Sequence, residues 1–404
     1  MDRSLEPRDR ALDANSQQRA AAATAAARSI AGGARSAEPH IEIVNMSYIE
    51  IQDLEVRYGN FQALSGVSFN VAERERICLL GPSGCGKTTT LQVMAGFVAP
   101  SGGEVRLAGR SLTGLAPEKR NIGIMFQNYA LFPHMTVFDN VAFGLRMRGV
   151  APSEIKRQAM AALERVRLAH AAQKMPGMMS GGEQQRIAFA RAVVIKPSLL
   201  LLDEPFSNLD ARLRQEMRGE LLELLAGLPI ATVMVTHDQE EAMAIADRIV
   251  VMRAGRIQQI GTPGEIYSSP MSLFAARFIG DSNTFAGKVT KADGNGVEVE
   301  IAGLGHIRGR NHGLSAGDKA EILVRPQHVT LAKPGFAEGQ RNVVPATVER
   351  VLFLGHRTEI HVRLGDGTMF IVWAQEHGGP DVQQGAAVTL AWNVTDTFAF
   401  PGAG

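Results

Sequence analysis

The residues best suited to chemistry lie in a glycine-rich segment that carries a lysine and a threonine at its end. The segment reads GPSGCGKT over residues 81–88, after an apolar run from Ile77 to Leu80 and before a predicted apolar helix. Backbone amides of such a loop surround phosphate oxygens, the lysine pairs with the β- and γ-oxygens, and the threonine reaches Mg²⁺. A chance glycine-rich turn is the alternative, and the flanking strand and helix argue against it. The predicted phosphate-binding residues are Gly81, Pro82, Ser83, Gly84, Cys85, Gly86, Lys87, Thr88 and Thr89.

A second candidate is a pair of carboxylates at the end of a leucine run. Leu199 to Leu202 are followed by Asp203 and Glu204. At the mouth of a buried strand beside the glycine-rich loop, Asp203 is suited to hold Mg²⁺ and Glu204 to polarise an attacking water. A core strand that simply meets solvent is the alternative when the run is taken alone.

A third segment, SGGEQQR over residues 180–186, lies 23 residues before Asp203 and predicts a turn that caps a helix. An N-cap and hinge is the structural alternative. Together with Asp203 and Glu204, this segment resembles the signature motif and Walker B motif of the ATP-binding cassette (ABC) family. The resemblance implies that the helix start binds the γ-phosphate of ATP held by a second copy of the chain. The residues implied in this contact are Ser180, Gly181, Gly182 and Gln184.

Four further positions match the family one by one. Tyr58 resembles the aromatic residue that stacks on adenine, although strand packing is the alternative, and Gln127 resembles the glutamine that meets Mg²⁺ and water. Asp210 lies in a segment, SNLD, that resembles the loop crossing the dimer, and His237 resembles the switch histidine that contacts the γ-phosphate. The resemblance thus implies ATP hydrolysis with Mg²⁺. The implied catalytic residues are Glu204, His237, Gln127 and Lys87, and the implied metal ligands are Thr88, Gln127 and Asp203.

Two features depart from this pattern or add to it. Met179 and Glu183 stand where the family more often has leucine and glutamine, so that the signature reads MSGGE. We expect Glu183 either to weaken closure on phosphate or to complement the helix dipole. Cys85, near a helix N-terminus, is predicted to be a reactive thiol of lowered pKa that alkylation would target, whereas Cys78 is predicted to be inert core.

The pattern of elements predicts an α/β P-loop (RecA-like) domain over residues 49–280, with an inserted helical subdomain at about 128–185. Short strands from residue 281 to 404 predict a small all-β, OB-like domain, which resembles the accessory (TOBE-like) domain of the family. Residues 1–48 are predicted to be a disordered tail or, alternatively, a misassigned start, with Met46 as the true initiator.

Composition narrows the function classes. The net charge is +1 from 42 Lys+Arg and 41 Asp+Glu, which gives no chain-wide basic field for nucleic acid. Two cysteines form no disulfide framework, and they favour a reducing compartment. The sequence has no apolar run of about 18 residues, so we expect no membrane span.

The resemblance extends from about Ile49 to the C-terminus and is closest to importer ATPases of the spermidine/putrescine, ferric-iron, phosphonate and sugar group. It implies a homodimer, two integral-membrane permease subunits, an indirect partner in a solute-binding protein, and a peripheral place on the cytoplasmic face of the inner plasma membrane. Within the group the general appearance favours polyamine. An exporter ATPase and a cassette ATPase acting on ribosomes or DNA are the rival interpretations.

Two expectations concern surfaces. The aromatic-rich stretch YALFPH, residues 129–134, is predicted to be exposed and to dock a permease helix, with a loop packed onto the helical subdomain as the alternative. The β domain is predicted to support dimer contacts or regulation, and an off-switch that binds a small oxyanion is one form this regulation could take.

Overall fold

The structure is a computed structural model, and it describes residues 47–294, 296–332, 341–374 and 382–402. The tail prediction falls almost wholly on residues 1–46, which lie outside the described residues.

The N-terminal part contains two sheets. A four-stranded antiparallel sheet has the order β2-β1-β4-β5, and a six-stranded sheet has the order β10-β9-β3-β8-β7-β6. All neighbours in the second sheet run parallel except β10, which is antiparallel to β9. The strands are β1 (Ile49–Tyr58), β2 (Phe61–Val71), β3 (Arg76–Leu80), β4 (Gly102–Leu107), β5 (Arg110–Ser111), β6 (Ile122–Met125), β7 (Leu199–Asp203), β8 (Ala231–Thr236), β9 (Arg248–Arg253) and β10 (Arg256–Gly261).

Helices alternate with these strands, as the sequence predicts for an α/β fold. They are α1 (Lys87–Ala95), α2 (Val137–Met147), α3 (Pro152–Arg165), α4 (Gly181–Val193), α5 (Ala211–Ala226), α6 (Gln239–Ile245), α7 (Pro263–Ser268) and α8 (Leu273–Phe278). Leu199 to Leu202 of β7 are fully buried, because the parallel sheet has apolar clusters on both faces.

The C-terminal part is all β, as predicted. Five strands close a barrel in the order β11-β12-β13-β20-β14, and five others form a sheet in the order β15-β19-β16-β17-β18. One apolar cluster with Trp392 and Phe370 fills the space between barrel and sheet strands. The strands are β11 (Asn283–Asp293), β12 (Gly296–Ile301), β13 (Gly305–Asn311), β14 (Lys319–Val324), β15 (Thr330–Ala332), β16 (Arg341–Phe353), β17 (Thr358–Leu364), β18 (Met369–Ala374), β19 (Ala387–Asn393) and β20 (Thr397–Pro401).

The sheet order positions the candidate site. The strands β3, β8, β7 and β6 are parallel neighbours, so their carboxyl ends meet at one edge. The glycine-rich loop follows β3, His237 follows β8, Asp203 ends β7, and Gln127 follows β6 closely. Segments more than one hundred residues apart in sequence are thereby brought to one place.

Candidate nucleotide-hydrolysis site

The glycine-rich loop has a backbone that only glycine accommodates at its end. Gly86 is the N-cap of α1 with φ +105°, and a Cβ there would lie 2.5 Å from Leu64 Cδ2 and 2.9 Å from Ala63 O. Gly84 also has positive φ, +76°, with open space around it. The loop therefore turns tightly into the start of α1, where free amides and the helix dipole favour an anion.

Lys87 lies within this loop and is almost fully buried. Its ammonium donates hydrogen bonds to Gly81 O at 2.7 Å and Pro82 O at 3.0 Å. Its third partner is the Cys85 thiol at 3.9 Å, so all three hydrogen-bond partners are neutral and an incoming phosphate would be strongly attracted to the ammonium. The loop and Lys87 thus provide a cradle for polyphosphate.

Asp203 carries the strongest sign of a metal site. Its Oδ1 atom is buried and has no hydrogen-bond partner among the described residues. Burial and the neighbouring Glu204 charge raise the pKa of the Asp203 carboxyl, and a hydrogen bond from Thr88 and the Lys87 charge only partly oppose this. An oriented carboxylate oxygen beside a threonine hydroxyl fits Mg²⁺, whose other ligands are commonly water and substrate phosphate. Among the described residues, no cluster of three or more His, Cys, Asp or Glu side chains could hold a metal ion.

Glu204 lies at the centre of a three-residue cluster. Its Oε2 is 3.2 Å from His237 Nδ1 and accepts a hydrogen bond from Gln127 Nε2 at 3.3 Å. The side chain of Glu204 is 17% exposed and that of His237 54% exposed, so the cluster opens to solvent on the histidine side. The structure therefore brings together Glu204, predicted to polarise the attacking water, Gln127, predicted to meet Mg²⁺ and water, and His237, predicted to contact the γ-phosphate.

The backbone holds Glu204 in an unusual conformation. Its φ is +43°, in the left-handed region, and its amide donates to Val235 O of β8 at 2.9 Å. A left-handed non-glycine residue costs about 1 kcal/mol or more, and such strain is concentrated at functional sites. Ser207 reinforces the turn by donating its hydroxyl to Glu204 O at 3.0 Å.

The signature segment forms the start of α4. Ser180 is the N-cap, and Glu183 completes a capping box: its Oε2 accepts from Ser180 N at 2.8 Å and from Ser180 Oγ at 3.0 Å. These hydrogen bonds, the backbone one foremost, hold the pKa of Glu183 below its usual range. Of the two roles considered for Glu183, the structure supports the stabilising one at the helix N-terminus.

The neighbours of Ser180 have structural reasons for their identity. A Cβ on Gly182 would lie 2.8 Å from Met217 Sδ, and one on Gly181 3.3 Å from Leu209 Cδ2. Gln184 donates its side-chain amide to two backbone carbonyls of the preceding turn. The structure contains one copy of the chain, so the contact predicted in trans stays a prediction.

Tyr58 and Asp210 occupy different settings. Tyr58 is 49% exposed and pairs across a two-residue hairpin with Phe61, which is 63% exposed. Both rings are free to stack on a planar base. Asp210 caps α5 by accepting from Leu213 N at 3.0 Å. Sequence reasoning missed Phe61, although the Gly-Asn pair between the two strands is a hairpin signal.

The prediction for Cys85 is wrong. The residue is 3% exposed, and burial raises the pKa of its thiol in spite of the nearby Lys87 ammonium, 3.9 Å from Sγ. Desolvation of a thiolate outweighs the favourable charge because the sulfur points into the apolar cluster under the loop. Cys78 is fully buried and its thiol pKa is raised, as expected of inert core.

The prediction that residues 129–134 expose their aromatic side chains is wrong for Tyr129 and only partly right for Phe132, which is half-buried, whereas His134 is exposed. Tyr129 is 3% exposed and joins the main apolar cluster, and Leu131 packs against that cluster. Phe132 contacts Phe143 with ring centroids 4.7 Å apart, and the Arg191 guanidinium lies over its face. The alternative interpretation, a loop packed onto the helical subdomain, is the one that the structure bears out.

The comparisons with known proteins agree with the fold. The ABC transporter family matches residues 64–207, and the TOBE domain family matches residues 322–400. A solved structure described as cbiO1 from Clostridium perfringens, part of the ABC transporter complex cbiONQ, is 29% identical. It superposes with a TM-score of 0.51 and covers 55% of this chain and 90% of its own. The chain belongs to the ABC transporter family and is one of its transport ATPases.

The curated relatives point to one branch of that family. The Spermidine/putrescine import ATP-binding protein PotA of Thermotoga maritima is 40% identical over 356 residues, which cover 87% of this chain and 97% of the relative. The protein of the same name from Pseudomonas aeruginosa is 45% identical over 320 residues, 79% of this chain and 88% of the relative. No helix in the described part of the chain combines the length and the apolar character that crossing a bilayer requires.

Proposed function

We propose that this ABC ATPase hydrolyses Mg²⁺-ATP as a homodimer and drives the import of a polyamine through a pair of permease subunits. The observation that carries the hydrolytic assignment is the cluster of Glu204, His237 and Gln127 beside the loop that holds Lys87. The names of the relatives support the solute, because a polyamine importer is what they are called.

In this proposal, each side chain has one task in hydrolysis. Lys87 and the loop amides bind the β- and γ-phosphates and neutralise charge that grows in the transition state. Glu204 accepts a proton from the attacking water and is held by His237 and Gln127. Thr88, Asp203 and Gln127 would hold Mg²⁺, which screens phosphate charge when bound.

Two tasks fall outside a single chain. Ser180 and the glycines after it would meet the γ-phosphate bound by the second copy, and the segment at Asp210 would cross between the two sites. Tyr58 would stack on adenine, with Phe61 beside it.

The proposal excludes nucleic acid as a partner, because the net charge is +1 and gives no chain-wide basic field.

The permease contact is proposed for a groove on the helical subdomain, in place of residues 129–134, whose Tyr129 is buried and whose Phe132 packs against Phe143. Phe138, Ile155 and Met160, from α2 and α3, form its apolar part, and Arg146 and Lys156 stand at its rim in a volume of about 490 Å³. An amphipathic cytoplasmic helix would fit apolar side chains inside and acidic ones at the rim. Bound there, the ATPase would lie peripherally on the cytoplasmic face of the inner plasma membrane, with a solute-binding protein as an indirect partner.

The test is solute uptake by a host strain that lacks the gene for this chain. We expect loss of spermidine and putrescine uptake, with restoration by the wild-type chain and not by Glu204→Gln. Restoration of ferric-iron, phosphonate or sugar uptake instead would overturn the solute and leave the ATPase role standing. In the same strain, affinity purification of the permease pair should recover the wild-type chain and lose Met160→Glu; equal recovery of both would refute the groove.

A further inference from the structure

The segment between α8 and β11, residues 279–282, joins the ATPase part of the chain to the β barrel. Ile279, at the start of this segment, is 1% exposed, and Gly280 has φ +78°. Side chains from two remote parts of the sequence hold the backbone here. One comes from the catalytic side and the other from the barrel.

On the catalytic side the contact is made by Gln239, two residues after His237. Its side-chain amide donates to Phe278 O, and its side-chain oxygen accepts from Gly280 N at 2.6 Å. Asp238 caps α6 by accepting from Glu240 N at 2.8 Å and Glu241 N at 3.1 Å. His237 is therefore followed by the N-cap Asp238 and then by Gln239. Both the nitrogen and the oxygen of the Gln239 side-chain amide form hydrogen bonds to the linker.

On the barrel side the contact is made by Arg325, which directly follows β14. Arg325 is 0% exposed. Its guanidinium donates to Ile279 O and to Tyr267 O, the latter at 3.1 Å, and stacks on the Tyr267 ring at 4.0 Å. A Cβ on Gly280 would lie 3.1 Å from Arg325 Nη1, so the glycine allows this close approach.

These contacts connect the barrel to Gln239, two residues after His237, through hydrogen bonds and the backbone of residues 278–280. The carbonyls of Phe278 and Ile279 and the amide of Gly280 lie in two successive peptide units, and each is bound by Gln239 or Arg325. Buried polar contacts of this kind tolerate little displacement, since a broken one leaves an unpaired group. If Gln239 and Arg325 only packed against the linker, apolar side chains at these two positions would be sufficient.

We infer that Gln239 is a positioning residue, which fixes the His237 loop against Glu204 by anchoring it to the linker that Arg325 holds from the barrel side. The inference rests on the proposed role of His237 and Glu204 in hydrolysis. The side-chain hydrogen bonds of Gln239 among the described residues go to Phe278 and Gly280 and not to His237 or Glu204, so its effect passes through the backbone of residues 237–239. The linker thereby connects the β domain to the His237 loop.

The test is steady-state ATP hydrolysis by the full chain with Gln239→Ala and Gln239→Glu. Loss of positioning should lower kcat by about tenfold or more in Gln239→Ala and leave KM within about twofold. Gln239→Glu keeps the acceptor for Gly280 N and sets a carboxylate against Phe278 O, so its kcat should fall between the two. The matched control is Glu240→Ala, the next residue in α6, whose side chain is 80% exposed and pairs with Arg218; its kcat should stay at the wild-type value.

Hydrogen exchange of the linker gives a second readout that does not depend on activity. The Gly280 amide should lose protection in Gln239→Ala and keep it in Glu240→Ala. Wild-type kcat in Gln239→Ala with a deprotected Gly280 amide would overturn the inference and leave the proposed function intact. A wild-type chain that does not hydrolyse ATP would overturn the proposed function itself.

Discussion

Replacement of Glu183, in the signature segment, by glutamine should lower the thermal stability of the chain. In Glu183→Gln the side chain keeps an oxygen that can accept from Ser180 N, so the capping box persists in weaker form. What is lost is a negative charge at the N-terminus of α4, worth about 0.3–1 kcal/mol at an exposed helix end. For a domain of this size that loss lowers the melting temperature by about 1–4 °C.

The pH dependence of this loss can also be derived. The pKa of Glu183 is lowered in the folded state, so its stabilisation is present above the unfolded-state pKa and is lost as pH falls through the folded-state pKa. The difference in melting temperature between wild type and Glu183→Gln should therefore be full at neutral pH and shrink as the pH drops below the usual pKa of glutamate. Salt should reduce it as well.

Activity should change in the opposite direction from stability. In the folded chain the Ser180 hydroxyl donates to the Glu183 carboxylate at 3.0 Å. A neutral glutamine accepts less strongly and carries no charge to repel phosphate, so Glu183→Gln should lower the ATP concentration needed for half-maximal hydrolysis. The assay is thermal unfolding across pH beside ATP titrations of the hydrolysis rate. Glu223→Gln, which removes another exposed carboxylate with its weak 3.7 Å ion pair, is the control. Equal stability of wild type and Glu183→Gln at neutral pH, or a gap that does not change with pH, would refute the reasoning.

Three further predictions concern the cradle and the metal site. Gly86→Ala should destabilise the chain by about 1–3 kcal/mol and abolish nucleotide binding, because its Cβ would lie 2.5 Å from Leu64 Cδ2. Gly84→Ala has open space around it and should cost only the smaller free energy of placing alanine in the left-handed region. Equal free energies of unfolding for the two variants would contradict this. Cys85 should react with thiol reagents at least about tenfold more slowly than a free cysteine until the chain is unfolded, and rapid labelling of the native protein would show that its burial is misjudged. Asp203→Asn should lose Mg²⁺-dependent hydrolysis and yet have a higher melting temperature at neutral pH. The pKa of the wild-type carboxyl is raised in the folded state, so its charged form destabilises the fold at neutral pH, and this destabilisation disappears in acid. An unchanged or lower melting temperature would count against an unpartnered carboxylate at Asp203.

The parts of the fold that sequence reasoning anticipated share a local cause. The leucine run that ends at Asp203 and the apolar run before Gly81 are short and continuous, which favours a buried strand when polar or glycine residues follow, and glycine patterns mark the loop between strand and helix. Gln127 and His237 were selected by the resemblance to the ABC family, and the carboxyl-end rule for parallel strands explains why they lie at the same edge. Local pattern was therefore sufficient for the glycine-rich loop and the leucine run, and the resemblance was needed for the other site residues.

The features that the sequence did not reveal depend on elements distant in sequence that pack against the residue concerned. Tyr129 and Cys85 lie in segments whose exposure is decided by helices and strands distant in sequence, so type and neighbours alone misled. The capping box at Glu183 did have a local signal, a serine followed three residues later by glutamate. Gln239 and Arg325 had none, because their role depends on a linker that runs between them.

The measurement that tests the central claim most directly is ATP hydrolysis by the purified chain and by Glu204→Gln, with nucleotide binding measured on the same samples. The wild-type chain should hydrolyse ATP only with Mg²⁺, and the variant should bind ATP with similar affinity while its turnover falls by about 10²–10⁴-fold, as expected for loss of a general base. The bound nucleotide should also stabilise a dimer of the variant. Unchanged turnover in Glu204→Gln would contradict the account, because the carboxylate held by His237 and Gln127 would then have no part in hydrolysis.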